Sequence, residues 1–293
     1  MNPRRKKAGP ASVMTAAVFL MGLCLFAYPF FSDVVYDHIQ ARSISSYTAA
    51  VGQYGEEEYE RMLEEARQFN DELKTQPFSM ELGPDREPRY ESVLDPVGNG
   101  VMGYIVIPCI RVSLPVYHGL SDGALGAGAG HVPGSSLPVG GSGTHCLIAG
   151  HTGLSSSQLF TGLDRMKEGD VFTVTVLNRN LHYRVFDVRV VLPEETRSLR
   201  PVEGEDLCTL ITCTPYGVNS HRLLVTGRRF EPENAEEELQ NDVPDMARII
   251  AAFAVALLLL LLFGTLVCGK NQKTELHEQL TQTEAAEQEI MNN

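Results

Sequence analysis

The residues best suited to covalent chemistry are Cys213 and Arg222, which lie on neighbouring predicted strands. The run Thr209-Leu210-Ile211-Thr212-Cys213 is rich in β-branched and apolar residues, and Pro215 and Gly217 end it just after the cysteine. A second apolar run begins at Arg222, after a short turn. We therefore expect a thiol at a strand end and a guanidinium beside it on the paired strand.

A nucleophilic cysteine usually needs an imidazole as its base and a group that stabilises the oxyanion. His151 ends the apolar run that starts at Cys146, and it opens into a loop, so it lies at a strand end as Cys213 does. His145 begins the same strand, roughly 20 Å away at ~3.3 Å per residue, so both histidines cannot serve one thiol. We select His151, with a structural, hydrogen-bonded histidine as the alternative.

A disulfide is the competing interpretation of Cys213. Four cysteines lie between the two long apolar runs of the chain, enough for two disulfides: Cys109, Cys146, Cys208 and Cys213. An extended strand places Cys208 and Cys213 ~16 Å apart, beyond disulfide reach, so only Cys109 and Cys146 remain as partners. The same part of the chain has no His-x-x-x-His or Cys-x-x-Cys spacing, and no metal or cofactor is implied.

Two apolar runs, Val13 to Phe31 and Ile249 to Val267, are each long enough to cross a ~30 Å hydrocarbon layer as a helix. Basic residues precede the first run and follow the second, so the positive-inside rule places both termini in the cytoplasm and the middle outside. They are Arg4, Arg5, Lys6, Lys7, Lys270 and Lys273. A cleaved signal peptide is the alternative for the first run, but Phe26 to Phe31 offers no small-x-small cleavage site, which favours an uncleaved anchor.

The region between the runs divides into a helical part and a β-rich part. After Gly55, apolar residues recur at helical spacing against an acidic face, which predicts an amphipathic helical hairpin with the preceding segment. From Thr75 to Tyr90 three prolines and a glycine predict a long exposed loop. Short strands then follow, which predicts a closed barrel or a sandwich. They are Tyr104 to Ile107, Leu114 to Tyr117, Cys146 to Ala149, Val171 to Leu177, Tyr183 to Leu192, Leu207 to Cys213 and Leu223 to Thr226.

Thr209-Leu210-Ile211-Thr212-Cys213 resembles the Thr-Leu-x-Thr-Cys signature of sortases, and the run from Asn219 to Val225 resembles the strand that carries their arginine. Three further segments resemble class C, pilin-polymerising sortases: Gly98 to Ile105, Pro115 to Gly119 and Gly134 to Gly141. The resemblance implies a mainly β fold, a closed sortase-type barrel with an N-terminal helical hairpin between two transmembrane helices. It assigns Cys213 as nucleophile, His151 as the catalytic histidine and Arg222 as the catalytic arginine.

Two positions depart from the family pattern. Around the histidine the family usually has Ala-His-Arg-Gly, whereas this chain has Gly150-His151-Thr152-Gly153, which keeps the histidine and loses a flanking charge. Class C sortases also have a lid with an Asp-Pro-aromatic motif, and Gln76-Pro77-Phe78 stands where that lid is expected. Gln in place of Asp removes the charge for a latch to Arg222. It leaves open a hydrogen bond from Gln76 and a contact of Phe78 with Cys213.

The predicted layout has seven segments along the chain. They are a cytoplasmic basic tail (1–12), a transmembrane helix (13–31), an extracellular helical region with the lid loop (32–90), the catalytic β-barrel (91–230), an acidic linker (231–248), a transmembrane helix (249–267) and a cytoplasmic tail (268–293). The predicted location is the cell membrane, with the catalytic domain extracellular. A formal net charge of -13 without a basic stripe argues against nucleic acid as a partner.

The resemblance implies a cysteine transpeptidase that cleaves a Leu-Pro-x-Thr-Gly-like sorting signal and joins it to a lysine amine of the next pilin. Its expected partners are pilin or surface-protein sorting signals, acceptor lysine amines and the membrane, with no small-molecule cofactor. A sortase that anchors surface proteins to peptidoglycan has the same triad and remains an alternative. A non-enzymatic, disulfide-bonded surface module is the second alternative.

Overall fold

Eight strands form a closed barrel in the computed structural model of the chain, which describes residues 10–152, 159–195 and 197–232. The strands are β1 (Val101–Ile107), β2 (Val112–His118), β3 (Ala129–His131), β4 (Thr144–Ala149), β5 (Val171–Val176), β6 (Arg179–Val191), β7 (Asp206–Thr214) and β8 (His221–Phe230). Their order around the barrel is β1-β2-β3-β4-β7-β8-β6-β5. The predicted closed, mainly β barrel is confirmed.

The strands that carry the predicted site residues are adjacent in this order. Strand β7 lies between β4, with which it pairs in parallel, and β8, with which it pairs antiparallel. A parallel neighbour needs a crossover connection, and here the chain makes β5 and β6 between β4 and β7. The crossover places the ends of β4 and β7 on the same edge of the barrel.

Alternation along β7 separates an inner and an outer face, because successive side chains of a strand point to opposite sides. Cys208 and Leu210 belong to the main core cluster inside the barrel, where Phe172 and Tyr183 stack with ring centroids 5.5 Å apart. Ile211 belongs instead to a second apolar cluster, which also contains Leu224 of β8. Cys213 is two residues beyond Ile211 and therefore shares this outer face.

The described residues also form four helices: α1 (Pro10–Val51), α2 (Glu56–Lys74), α3 (Glu87–Ser92) and α4 (Asp122–Ala127). Short 3-10 turns occur at Pro108–Ile110, Leu163–Arg165 and Arg197–Leu199. Helices α1 and α2 are separated by four residues that include Gly52 and Gly55, as the predicted hairpin requires. The prediction of loop throughout Thr75 to Tyr90 is wrong at its end, because α3 begins at Glu87. Pro88 fits there, since the first turn of a helix does not need the N–H that proline lacks.

Buried polar contacts attach the helical hairpin to the barrel. The Tyr47 hydroxyl of α1 donates to the Met102 carbonyl at 2.9 Å and accepts the Leu177 N–H at 2.7 Å. Asn70 of α2 is 2% exposed, and its side-chain amide brackets the backbone of Leu137, donating to the carbonyl at 3.1 Å and accepting the N–H at 2.7 Å. The end of α2, from which the predicted lid loop departs, is thus fixed to the barrel.

The first predicted membrane span, Val13 to Phe31, falls within α1. None of the helices in the described residues is both long and apolar enough to cross a membrane. The second predicted span and the C-terminal tail lie outside the described residues, as does the acidic linker from residue 233 onward. The two-span layout therefore stays a prediction.

Candidate active site

His151, Cys213 and Arg222 lie side by side at the ends of three adjacent strands. Cys213 and Arg222 are direct partners in the register of β7 with β8. Strands β4 and β7 pair up to Ala149 and Ile211, and the Gly150 N–H continues the ladder by donating to the Ile211 carbonyl at 3.0 Å. One further step of this register sets His151 opposite Cys213, with neighbouring strands about 4.8 Å apart.

Three contacts fix the backbone that carries His151. The Thr212 hydroxyl, on a side chain 4% exposed, donates to the Gly150 carbonyl at 2.7 Å. The Phe160 N–H donates to the His151 carbonyl at 3.0 Å. The Phe160 ring also packs across Gly150, where a Cβ would lie 2.7 Å from the ring, so only glycine fits before His151.

The Arg222 side chain is held by the loop between β7 and β8. Its Nη1 donates to the carbonyls of Asn219 and His221, at 3.2 and 3.1 Å. Asn219 adopts a φ of 58°, a left-handed conformation that asparagine tolerates better than most residues. Within the described part of the chain both bonds use Nη1, so Nε and Nη2 keep donors for an oxyanion. Cys213 and Arg222 are both partly exposed, as attack on a substrate requires.

An apolar floor adjoins this row of three residues on the outer face of the barrel. Ala149, Ile211 and Leu224 lie one same-face step into the barrel from His151, Cys213 and Arg222, in matching register. These three belong to one cluster with Val132, Leu147, Leu199 and Val191. We call this cluster the apolar floor. A floor of this kind can hold the apolar side chains of an extended peptide beside the thiol.

The predicted lid loop lies on the apolar floor. Phe78, partly buried, and Met80 both pack against it. The Gly134 N–H donates to the Met80 carbonyl at 3.3 Å, which ties the loop to the segment after β3. Gln76 is exposed, and its backbone N–H continues the last turn of α2 by bonding to the Leu73 carbonyl at 3.1 Å. Within the described residues its side chain makes no hydrogen bond to Arg222, so the aromatic side chain, not the amide, seats the loop.

The other cysteines lie in different environments from Cys213. All five described cysteines are free thiols. Cys146 and Cys208 are register partners of β4 and β7 inside the barrel, 3% and 0% exposed, and burial raises the pKa of Cys208 well above its usual range. Cys109 is exposed in the connection between β1 and β2, and partial burial together with Asp170 raises its pKa to about 11.

In the described residues no group of three His, Cys, Asp or Glu side chains could hold a metal ion.

Residues 105–230 match the protein family described as the sortase domain. Sortase C1 from Streptococcus agalactiae has a similar solved structure, with 43% identity and a TM-score of 0.64, over 66% of this chain and 100% of that one. The chain belongs to the sortase family. A second similar structure is that of Clostridium perfringens sortase C with the C-terminal cell wall sorting motif, at 36% identity and a TM-score of 0.56, covering 66% of this chain and 100% of that one.

The predicted membership of the sortase family, with its class C likeness, is confirmed. Sortase A from Streptococcus agalactiae is 32% identical over 117 residues, which make up 39% of this chain and 47% of that protein. The chain thus spans about half the length of that relative. The likeness to the two sortase C structures extends further, over 66% of this chain and all of each of those chains.

The residues that position His151 and His145 are not evident from the sequence. The strand pattern identifies Thr212 only as a β-branched residue, whereas in the structure its hydroxyl donates to the Gly150 carbonyl. Thr209 likewise bonds His145 at 2.7 Å across β4 and β7. Phe160 lies nine residues beyond His151, with residues 153–158 outside the described ranges. The sequence does place Thr209 and Thr212 on the predicted strand that ends in Cys213, so their hydroxyls could have been considered as hydrogen-bond donors. It gives no comparable indication for Phe160.

Proposed function

We propose that this sortase joins pilin subunits on the outer face of a Gram-positive cell, using a Leu-Pro-x-Thr-Gly-like sorting signal on the donor. The observation that carries the proposal is the row of His151, Cys213 and Arg222 across three neighbouring strands. The backbone positions of the histidine and the arginine flank that of the cysteine, at one step of strand spacing each. That arrangement suits acyl transfer, since a base and an oxyanion donor face the same carbonyl.

Each of the three residues has a distinct role in the proposed reaction. The Cys213 thiolate attacks the carbonyl carbon between Thr and Gly of the sorting signal, and Arg222 stabilises the oxyanion. The C–N bond breaks as the His151 imidazolium protonates the leaving glycine amine, which leaves a thioacyl enzyme. His151 then accepts a proton from the incoming amine, which attacks the thioester and releases Cys213.

The acceptor in this proposal is a lysine amine of the next pilin, which gives an isopeptide bond. Support for a sorting signal as donor comes from the likeness to the Clostridium perfringens sortase C solved with such a motif. Support for pilin as acceptor comes from the class C likeness over the helical region and barrel. The acceptor amine must enter beside the thioester, where Cys213 and Arg222 are partly exposed.

We further propose that both termini are cytoplasmic and that two membrane spans hold the catalytic domain outside. The two apolar runs and their flanking lysines and arginines support this layout. Tethering would serve the reaction, because donor and acceptor are held at the same membrane surface and their effective concentrations rise. The lid loop on the apolar floor would cover the Cys213 thiol until a donor peptide displaces it.

Anchoring of surface proteins to peptidoglycan is the second candidate, favoured by the likeness to sortase A. The two candidates share the thioacyl step and differ in the amine that resolves it. They are separated by offering a pilin acceptor and a peptidoglycan-like amine in competition. A product formed only with the peptidoglycan-like amine would replace the pilin proposal with this candidate.

The thioacyl step is tested by intact-mass measurement of the full chain with a Leu-Pro-x-Thr-Gly peptide. We expect an adduct of the peptide without its glycine in the wild type, none in Cys213→Ala, and a strongly reduced amount in His151→Ala. Cys109→Ala is the matched control, because it removes an exposed thiol on another part of the barrel. An adduct in Cys213→Ala, or none in the wild type after the lid loop has been opened by substitution, would overturn the proposed mechanism.

A further inference from the structure

The segment Arg197 to Pro201, between β6 and β7, lies against the apolar floor, and we call it the wall segment. Leu199 is 4% exposed and packs in the same cluster as Ile211 and Leu224. Both floor residues are two positions from the proposed catalytic residues Cys213 and Arg222, on the same face. The position of Leu199 therefore sets the width of the apolar floor next to the thiol.

The wall segment and the lid loop face each other across one cavity. The cavity has a volume of about 440 Å³, and its lining includes Phe78 and Gly83 on the lid side and Arg200 and Pro201 on the wall side. Gly134 and Ser136 also line it, beside β4. The described lining contains none of the three proposed catalytic residues, so the cavity adjoins the apolar floor and does not include the thiol. An extended peptide that replaces Phe78 on the floor would have this space and the wall segment along one side.

One hydrogen bond ties the wall segment to the barrel. His145 of β4 is fully buried, and its Nδ1 lies 3.1 Å from the Arg200 carbonyl oxygen. Among the described residues this is the one hydrogen bond between the wall segment and a barrel strand. Nε2 of the same ring lies 2.7 Å from the Thr209 hydroxyl, which lies 2.9 Å from the Thr226 hydroxyl.

The partners of the ring determine its tautomer. A carbonyl oxygen can only accept, so Nδ1 must carry the proton and donate to Arg200. Nε2 is then the acceptor for the Thr209 hydroxyl, which in turn accepts from Thr226. Burial lowers the pKa of His145, and the bond to Arg200 opposes that effect only in part, so the neutral form agrees with these partners.

We propose that His145 is a positioning residue that holds the wall segment in place as one side of the groove for the donor peptide. This inference rests on the proposed function, because its consequence is the affinity of the enzyme for the donor peptide. It concerns a second histidine, at the far end of the strand that leads to His151. It predicts that loss of the bond to Arg200 weakens peptide binding and leaves the chemistry at Cys213 unchanged.

Two substitutions separate the two bonds of the ring. Asn carries its amide nitrogen where His carries Nδ1, so His145→Asn keeps a donor for the Arg200 carbonyl. Gln carries its amide where His carries Nε2, so His145→Gln keeps a partner for Thr209 and loses the bond to Arg200. The two variants are similar in polarity and both fill only part of the ring's volume, so each serves as a control for the other.

A first measurement reports on the wall segment without any substrate. Trypsin can cleave after Arg197, an exposed residue, whereas Pro201 blocks cleavage after Arg200. Loss of one hydrogen bond should raise the rate of this cut in the full-length folded His145→Gln protein by roughly 2- to 10-fold, with His145→Asn close to the wild type. Equal rates in the two variants would overturn the proposal, since the effect would then follow from the lost ring and not from the lost bond.

A second measurement reports on the groove. With a Leu-Pro-x-Thr-Gly peptide, KM should rise in His145→Gln by a similar factor, with kcat within about twofold of the wild type, and His145→Asn should restore KM. A fall in kcat at unchanged KM would overturn the proposal. If the wild type forms no thioacyl adduct, the proposed function fails, and the trypsin measurement still decides whether His145 holds the wall segment.

Should His145→Gln fail to fold, Thr209→Val gives the same information from the other side of the ring. It removes the hydroxyl that orients Nε2 and leaves Nδ1 free to rotate away from Arg200. The expected rise in the rate of the cut after Arg197 is smaller than for His145→Gln but measurable. Thr226→Val is its matched control, because it removes the next hydroxyl and leaves both contacts of His145 intact. Equal rates for the two threonine variants would overturn the proposal.

Discussion

Gly134 lies so close to the backbone of Ser79 that a Cβ on Gly134 would overlap the Ser79 carbonyl oxygen. The same Cβ would lie 2.9 Å from the Met80 carbonyl carbon, and the Gly134 N–H bonds to the Met80 carbonyl oxygen. The contacting atoms belong to the backbone, so they cannot move aside as a flexible side chain would. The lid loop is seated on a position where only glycine allows the observed approach.

Gly134→Ala should therefore lift the lid loop from the apolar floor. Overpacking of this kind costs about 1–3 kcal/mol, which corresponds to a roughly 5- to 100-fold rise in the population with the lid open. The rate at which a bulky maleimide labels Cys213 in the full chain should rise accordingly. Hydrolysis of a sorting-signal peptide without acceptor should increase as well, since water then reaches the thioester.

Gly126→Ala in α4 is the matched control for this substitution. A Cβ at Gly126 meets no atom within 4 Å, so the variant should label at the wild-type rate. Labelling that is unchanged in Gly134→Ala would show that Ser79 and Met80 do not seat the loop. Equal acceleration in both variants would point to a general effect of added alanine.

The next prediction concerns how the lid loop is held closed. Phe78→Ala removes a ring that packs on the apolar floor, at a cost of about 1–2 kcal/mol for a half-buried aromatic side chain. Gln76→Ala removes an exposed amide whose residue bonds only through its backbone N–H in the described structure. Labelling of Cys213 should therefore be about tenfold faster in Phe78→Ala and unchanged in Gln76→Ala. Faster labelling in Gln76→Ala would show that the amide takes part in closure.

The barrel could be predicted from the sequence because its signals are local. Runs such as Val171 to Leu177 alternate apolar and polar residues, and turn residues separate them. The sequence favours His151 over His145 because His151 ends its strand and opens into a loop, as Cys213 does. The structure places His145 at the opposite end of β4, bound to Arg200 and Thr209. Periodicity located both histidines on one strand, because it depends only on spacing along the chain.

Other features depend on the pairing of distant segments and could not be predicted. The short turn between β7 and β8 predicts the pairing of Cys213 with Arg222, but no local pattern encodes the pairing of β4 with β7, which brings His151 into the row. The contact of Gly134 with Ser79 joins residues 55 positions apart, and glycines in a Gly-rich stretch look alike in the sequence. Helix α3 is not predicted because the three prolines and the glycine of residues 75–90 favour a loop, although Pro88 suits a first helical turn.

Thr212→Val tests whether the backbone before His151 must be held for catalysis. The variant keeps the shape of the side chain and leaves the Gly150 carbonyl without its 2.7 Å hydrogen bond, which should cost about 1–3 kcal/mol of unfolding free energy. We expect kcat for thioacyl formation to fall about tenfold, because His151 is less well oriented. Thr212→Ser should restore most of the activity.

Thr173→Val is the control for that substitution. Thr173 is also a buried strand threonine, and its hydroxyl lies 2.9 Å from Nδ1 of His182, on β5 and β6, away from the proposed site. Its stability should fall by a similar amount with kcat unchanged. If both variants lose kcat equally, the effect of Thr212 is one of stability and not of orientation.

His118 gives the protein a pH-dependent stability whose sign is set by burial. Its Nδ1 lies 3.1 Å from the Gly100 carbonyl and its Nε2 2.8 Å from the Val93 carbonyl, and the ring packs edge-on against Tyr90. A neutral ring donates to only one of the two carbonyls, whereas the charged ring could donate to both, so the carbonyls favour the charged form. Burial outweighs them and lowers the pKa of His118. The unfolded chain, in which a histidine titrates near 6.5, therefore binds more protons than the folded one as the pH falls below that value.

The unfolding free energy should accordingly decrease as the pH falls from 7.5 through 6.5 and below, by at most about 1.4 kcal/mol per pH unit for one titrating group. His118→Phe keeps a ring against Tyr90 and removes the titration, so its stability should be lower at pH 7.5 but decline less steeply. Urea unfolding of the full chain at pH 7.5, 6.5 and 5.5 measures both slopes. His145, whose pKa burial also lowers, contributes equally to the wild type and the variant. Parallel slopes would show that His118 titrates alike in the folded and unfolded chain.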